Sequence, residues 1–401
     1  TIFCERMLFM PFKEPLWTKD YILNIVNNFL LFIIFYMLMV YTTSFAISSF
    51  NASVSEAGLA SGTFILGALV SRLFSGRYLD FVGRRKMLLF SACLYLLSTV
   101  SYHFIMNMMF LLVLRFVQGA AYGMMSTVIA TEITSIIPKS RRGEGIGYFT
   151  LSITLGSAIG PFLGITLPKI NPVYPLYFCD IIAVTIVIVS LATKVHAIVP
   201  GFRQRVEVKS LRLRTFIETT ALPISFIGFL GAIGFASIMS FIGTYSEVID
   251  LAFAGSIFFI VYSLACLVFR PLFGILLDRY GNHVVMFPVL FAMITGFMAI
   301  ALADSSFTLL LGAVLVGTGY GSIPSAGQAI AVQKVKPNRF SLATSTLYMS
   351  LDAGSGVGPY LLGMIVPVYG FRSVYVCASL LAVVALIFYC GNIFFSRKKN
   401  A

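Results

Sequence analysis

Charge is scarce in this sequence: across 401 residues, Asp, Glu, Lys and Arg together make up only 11 %. A water-soluble fold of this length needs roughly a quarter of its residues charged. With 59 % of the chain hydrophobic, lipid must be the solvent for most of it. The six cysteines (Cys4, Cys93, Cys179, Cys266, Cys377 and Cys390) stand singly, without the CxxC or Cys/His spacing that points to a metal site or a disulfide framework, and read as small apolar packing. The three histidines, His103, His196 and His283, fall in expected loops, and no role is assigned to them. A Walker A sequence is missing as well, so the energy for any work must come from an ion gradient. The formal charge of +13 does not imply nucleic acid, because the cations sit in short clusters between apolar runs.

What is abundant is apolar sequence of spanning length. A helix needs about 20 apolar residues to cross about 30 Å of hydrocarbon. Twelve segments qualify, at roughly 20–47, 55–79, 87–105, 108–135, 144–167, 174–193, 217–243, 252–277, 284–303, 307–332, 341–366 and 372–395. Short turns join them, apart from a basic linker at 194–216. The first segment is too long for a signal-peptide core and lacks a small-residue cleavage site, so it counts as a span. Met10 reads as a native start, which would make residues 1–9 extraneous. Every Lys and Arg except Lys169, Arg372 and Arg115 belongs to the termini, to alternate loops, or to span ends facing those loops. Positive charge marks the cytoplasmic side. Both termini are therefore expected in the cytoplasm, with the protein multi-pass in the cell membrane.

The chain also repeats. Gly76, Asp80 and Gly83 recur as Gly274, Asp278 and Gly281 at an offset of 198, and Arg72 recurs as Arg270. Gly119, Tyr122 and Gly123 recur as Gly317, Tyr320 and Gly321, and Gly156, Gly160 and Pro161 as Gly354, Gly358 and Pro359. A constant offset means two related six-helix halves, as secondary transporters have, with the substrate site between them.

Charges at membrane depth are the functional candidates. Arg115 lies within span 4, and Glu132 is 17 residues on, about 25 Å away, so its counter-group must come from another helix, a carbonyl or a substrate. Gln118, Gly119, Tyr122 and Ser126 share its helix face, and that stripe is expected to line a central cavity. Asp352 in span 11 and Asp180 in span 6 are the acids expected deepest in hydrocarbon. Desolvation disfavours an ionised carboxylate, so both are candidates for proton coupling, with Asp352 ranked first. The repeat equivalents of Arg115 and Asp352 are Ala313 and Thr154, so neither feature is common scaffold. The run GTGYGS at 317–322 lacks the strand–turn–helix context of a dinucleotide loop and is read as packing. A membrane enzyme would need a nucleophile–base pair or metal ligands at this depth, and no histidine joins Arg115, Asp180 and Asp352.

Three motifs carry a family resemblance. Gly76, Asp80, Gly83, Arg84 and Arg85 form the loop between spans 2 and 3, with Phe81 in a place that is normally basic. Arg115, Gln118 and Gly119 form a second motif, and Gly156, Gly160, Pro161 and Gly164 a third, with Ile165 replacing a final glycine. The chain resembles, over nearly its whole length, the major facilitator superfamily and more closely its twelve-span drug:proton antiporters. That resemblance implies an all-α polytopic membrane protein, with twelve transmembrane helices in two pseudo-symmetric six-helix halves. It implies a cytoplasmic latch of Gly76, Asp80, Gly83, Arg84, Arg85 and Glu132. Asp80 would lie at a helix N-terminus of the other half, and Glu132 would pair with Arg84 or Arg85. It implies flexible packing at the Gly156–Gly164 motif, and a cavity to which Tyr36, Tyr122, Tyr320 and Gln328 contribute alongside Arg115 and Gln118.

The expected organisation is a cytoplasmic N-terminus (1–19), a first half (20–193), a basic linker (194–216), a second half (217–395) and a cytoplasmic C-terminus (396–401). The expected function is proton-coupled export of small amphipathic molecules by rocking alternating access. A dedicated metabolite, sugar or metallophore exporter, or a proton symporter, is the alternative. No enzyme activity, cofactor, metal or nucleic acid is expected. The partners are a small-molecule substrate, protons and the bilayer, and the chain is expected to act as a monomer.

Overall fold

A computed structural model describes residues 15–50, 54–195, 216–333 and 335–400. Residues 1–9, most of the linker and His196 therefore lie outside the described residues. Spans 1 to 6 are the helices Lys19–Phe50, Val54–Val82, Arg84–Val100, Met108–Ile136, Arg142–Ile170 and Tyr174–Ala192. Spans 7 to 9 are Leu222–Val248, Ala252–Tyr280 and Asn282–Ala301. Span 10 is two helices, Ser306–Thr318 and Ile323–Gln333, joined through a 3-10 turn at Tyr320–Ser322. Spans 11 and 12 are Phe340–Gly363 and Val366–Asn400. In the last helix Gly370 has φ 76°, so the straight part of span 12 begins only after it.

Ten of these spans are long and apolar enough to cross a membrane. The two exceptions are span 2, with Arg72, Arg77 and Asp80, and span 11, rich in Ser, Thr and Gly. Their polarity has a structural destination, since spans 2 and 11 pack against each other. Large apolar side chains such as Phe90, Leu97, Phe162, Ile181 and Phe291 are exposed on the outer faces of the bundle, where acyl chains would meet them.

The packing repeats with the sequence. Span 2 packs on span 4, span 1 on span 5 and span 3 on span 6; span 8 packs on span 10, span 7 on span 11 and span 9 on span 12. The halves then meet along two seams, span 2 against span 11 and span 5 against span 8. The turns after spans 2 and 8 reverse through Gly83 (φ 96°) and Gly281 (φ 84°), in the left-handed region where a Cβ is strained. Glycines also bring helices together. A Cβ on Gly160 would stand 2.7 Å from that of Tyr36 in span 1, and one on Gly358 would stand 2.6 Å from the Ile233 carbonyl oxygen in span 7. Pro161 and Pro359 lie inside helices that stay continuous, because the close neighbour supports a backbone that has lost one hydrogen bond.

The turns between spans 2 and 3, 4 and 5, 8 and 9, and 10 and 11 share one face of the bundle, the basic face. The other end is called the opposite face.

Candidate functional site

Asp352, the acid ranked first in the sequence, meets Arg72 of span 2: Asp352 Oδ2 accepts from Arg72 Nε at 2.7 Å. The pair joins the two halves. Its members differ in access, since the Arg72 side chain is 2 % exposed and that of Asp352 is 24 % exposed. Arg72 also donates to Thr127 Oγ1 at 3.4 Å, and its guanidinium lies 5.5 Å from the Tyr122 ring and 5.0 Å from the Tyr348 ring. Ser345 of span 11 donates to the Arg72 carbonyl at 2.5 Å. A buried ion pair is stable only when its remaining groups are satisfied in this way. Arg72 was read in the sequence only as a topogenic charge; the structure makes it the partner of Asp352.

The repeat equivalent, Arg270, also crosses between halves. It donates to the Gly321 carbonyl in its own half and, at 2.5 Å, to the Thr150 carbonyl of span 5. Tyr36, Tyr320 and Tyr348 lie within electrostatic range of both Arg270 and Asp352, and Tyr122 within range of Arg72 and Asp352. Phe35 stacks on Tyr122 at 5.0 Å and Phe235 on Tyr320 at 4.5 Å. Tyr36, Tyr122 and Tyr320 thus lie around Asp352, and this region between the halves is called the chamber.

Below this level, toward the basic face, further polar contacts join the halves. Asp278, the repeat equivalent of Asp80, accepts from the backbone N–H groups of Gly143 at 2.7 Å and Glu144 at 2.9 Å, at the N-terminus of span 5. Those N–H groups have no partner within the helix, and the helix dipole favours an anion there. Asp80 lies against the start of span 11, bonded to Ser341, and Gly76 leaves room for Ser345, which a Cβ would approach to 2.5 Å. Asp80 accepts from Arg84 at 2.9 Å, and Arg84 binds Glu132 at 3.2 Å and Ser135 at 2.8 Å. Arg84 is therefore the partner of Glu132, while Arg85 reaches the Leu191 carbonyl at 3.4 Å on the exposed side. The polar contacts between halves described here all lie at Arg72–Asp352 or on its basic-face side.

Three expectations are corrected. Arg115 does not line the chamber: it is wholly buried, donating to the Ala60 carbonyl of span 2 at 3.1 Å and to Gln118 at 3.2 Å, over the Phe64 ring at 4.5 Å. Ala60 lies twelve residues before Arg72 in span 2, about 18 Å along the axis. Gln118 is fixed beside Arg115 by Tyr102 at 2.7 Å and Thr99 at 3.3 Å, so this pair ties spans 2, 3 and 4 together. Gln328 is not on the chamber wall either. It is fully buried and donates across the seam to the Ala130 carbonyl at 3.1 Å and Thr134 at 3.0 Å, while accepting from Tyr348 at 2.9 Å. Asp180 is only half-buried, near the opposite-face end of span 6, where it bonds His103 at 2.7 Å. His103, to which no role was assigned, is part of a 3-10 turn closing span 3 rather than a free loop.

A family model described as Major Facilitator Superfamily matches residues 25–303 and 224–400. An uncharacterized MFS-type transporter of Methanocaldococcus jannaschii is 24 % identical over 346 residues, 83 % of this chain and 88 % of that protein. The multidrug resistance protein MdtG of Proteus mirabilis is 25 % identical over 322 residues, 78 % of this chain and 79 % of that one. Among solved structures, the transporter FucP in its outward conformation superimposes with a TM-score of 0.75 at 15 % identity, covering 93 % of this chain and 98 % of that one.

Proposed function

The chain belongs to the major facilitator superfamily, and from that premise we propose that it is a proton-coupled exporter of small amphipathic compounds in the cell membrane. The observation that carries this reading is the Arg72–Asp352 pair, an ion pair that bridges the halves with its carboxylate as the accessible member. In the cycle, the basic face is cytoplasmic and both termini lie there. With the chamber open to the cytoplasm, Asp352 gives up its proton and cargo enters among Tyr36, Tyr122 and Tyr320. The ionised carboxylate then draws Arg72 across the seam, the Asp278 and Asp80 latches close, and the chamber faces outward. Protonation of Asp352 from outside removes the attraction to Arg72, cargo leaves, and the halves rock back. Close glycine contacts between spans 1 and 5 and between spans 7 and 11 let each half move as a unit. The chain acts as a monomer in this cycle, and the proton gradient is its only energy source.

Flux of a fluorescent amphipath in proteoliposomes, with and without an imposed pH gradient, tests the reading. Gradient-driven extrusion that Asp352→Asn abolishes is the expected result. Flux indifferent to the gradient refutes proton coupling, and uptake running with the proton flow makes the protein a symporter instead.

A further inference from the structure

Pseudo-symmetry leaves one crossing incomplete. Arg72 and Arg270 hold equivalent places, and each reaches the other half. Arg72 meets a carboxylate, whereas Arg270, 4 % exposed, is held by the carbonyls of Gly321 and Thr150 and has no carboxylate partner among the described residues. Where Asp352 stands on span 11, span 5 has Thr154, one turn beyond Thr150. Its side chain is 3 % exposed and its hydroxyl has no hydrogen-bond partner. Carbonyl dipoles do not neutralise a full charge, and a guanidinium removed from water calls for an anion. Arg270 and Asp352 both lie near Tyr36, Tyr320 and Tyr348, and Arg72 lies near Tyr348, so among the described residues these two guanidinium groups share one carboxylate.

Resting on the transporter reading above, we infer that the cargo bears an anionic headgroup, a carboxylate or similar oxyanion, which docks on Arg270 beside Thr154 where the repeat omits an aspartate. The headgroup fills the site that Asp352 fills in the other seam, accepting from Arg270 and from the Thr154 hydroxyl. The apolar body of the cargo lies among the rings of Phe35, Tyr36 and Phe235. A bound anion thereby completes the span 5–span 8 crossing, which makes cargo occupancy and closure of the basic face one event.

The test uses the full chain in nanodiscs and three probes with one apolar body: 2-naphthoate, 2-naphthylmethylammonium and 2-naphthol. Equilibrium binding should favour naphthoate at least about tenfold over the other two. Thr154→Asp supplies the missing carboxylate from the protein itself, so it should fold, as judged by an unchanged melting temperature, and should weaken naphthoate binding at least about tenfold. Thr154→Asn, of the same size but uncharged, should weaken it less. Arg270→Gln gives a second arm and should also lose naphthoate selectivity. Equal binding of the three probes, no binding of naphthoate, or full naphthoate affinity in Thr154→Asp or Arg270→Gln overturns the inference. Failure of the transport reading looks different: naphthoate binds selectively, yet nothing moves under any gradient.

Discussion

Asp278→Asn offers the cleanest view of the seal on the basic face. The Asp278 carboxylate spans two backbone donors of span 5, at 2.7 and 2.9 Å, and belongs to the opposite half. A hydrogen bond to a charged group contributes about 1.5–3 kcal/mol net, and an anion at a helix N-terminus adds about 0.3–1 kcal/mol. Asparagine keeps one acceptor oxygen and loses the charge, so one charged bond and the dipole contribution are lost. Because the site is only half-buried, the lower end applies, about 2 kcal/mol. The contact exists only while the halves are closed, so that energy shifts the ratio of open to closed states about thirtyfold. Spin labels at Ser140 and Lys336, exposed on basic-face turns of opposite halves, report the change by pulsed electron–electron distance measurement once Cys4, Cys93, Cys377 and Cys390 are replaced. The ratio of the longer-distance to the shorter-distance population should rise by about that factor. Asp80→Asn provides the comparison, because Asp80 also binds Arg84 within its own half at 2.9 Å; it should cost more local stability and open the seal less. An unchanged distance distribution in Asp278→Asn, with thermal stability falling instead, would refute the reasoning.

Two further outcomes follow from the packing. Arg115→Met removes the bonds to Ala60 and Gln118 but also the cost of holding a charge away from water, so stability should move by less than about 2 kcal/mol either way and the pH response of the labelled seal should persist; loss of that response would return Arg115 to the coupling site. Gly160→Ala pushes a Cβ to 2.7 Å from Tyr36 and should cost about 1–3 kcal/mol in denaturation measurements, whereas Gly62→Ala, with nothing within 4 Å, should cost nothing; equal effects would contradict the close packing of spans 1 and 5.

The spans and the repeat at offset 198 were legible because each leaves a local signal, run length or recurring glycines; Glu132 was left between Arg84 and Arg85, and only the structure pairs it with Arg84. Asp278 was visible only as the repeat of Asp80, with no role assigned, and the structure shows that its helix-terminus contact is the more complete of the two. The partner of Asp352 was not legible. Arg72 lies 280 residues away, and a cation near a span end satisfies the charge bias of topology whether or not it pairs. Helical spacing correctly put Arg115 and Gln118 on one face, but spacing does not fix how a helix rotates in its bundle, and that face turns to spans 2 and 3. Asp180 was misread because its partner His103 is 77 residues away and was set aside as a loop residue, so nothing local showed that the two side chains meet.

The central claim is that the protonation state of Asp352 controls closure through Arg72. Its most direct test is the Ser140–Lys336 distance, followed as pH is lowered, in the unaltered chain and in Asp352→Asn. Protonation weakens the pair that holds the seam, so acid should lengthen the distance in the unaltered chain. Asp352→Asn should begin in that lengthened state and ignore pH, with Asp278→Asn measured alongside to account for titration of the latch. A seal that stays closed in Asp352→Asn, or one that still opens with acid as the unaltered chain does, would contradict the account.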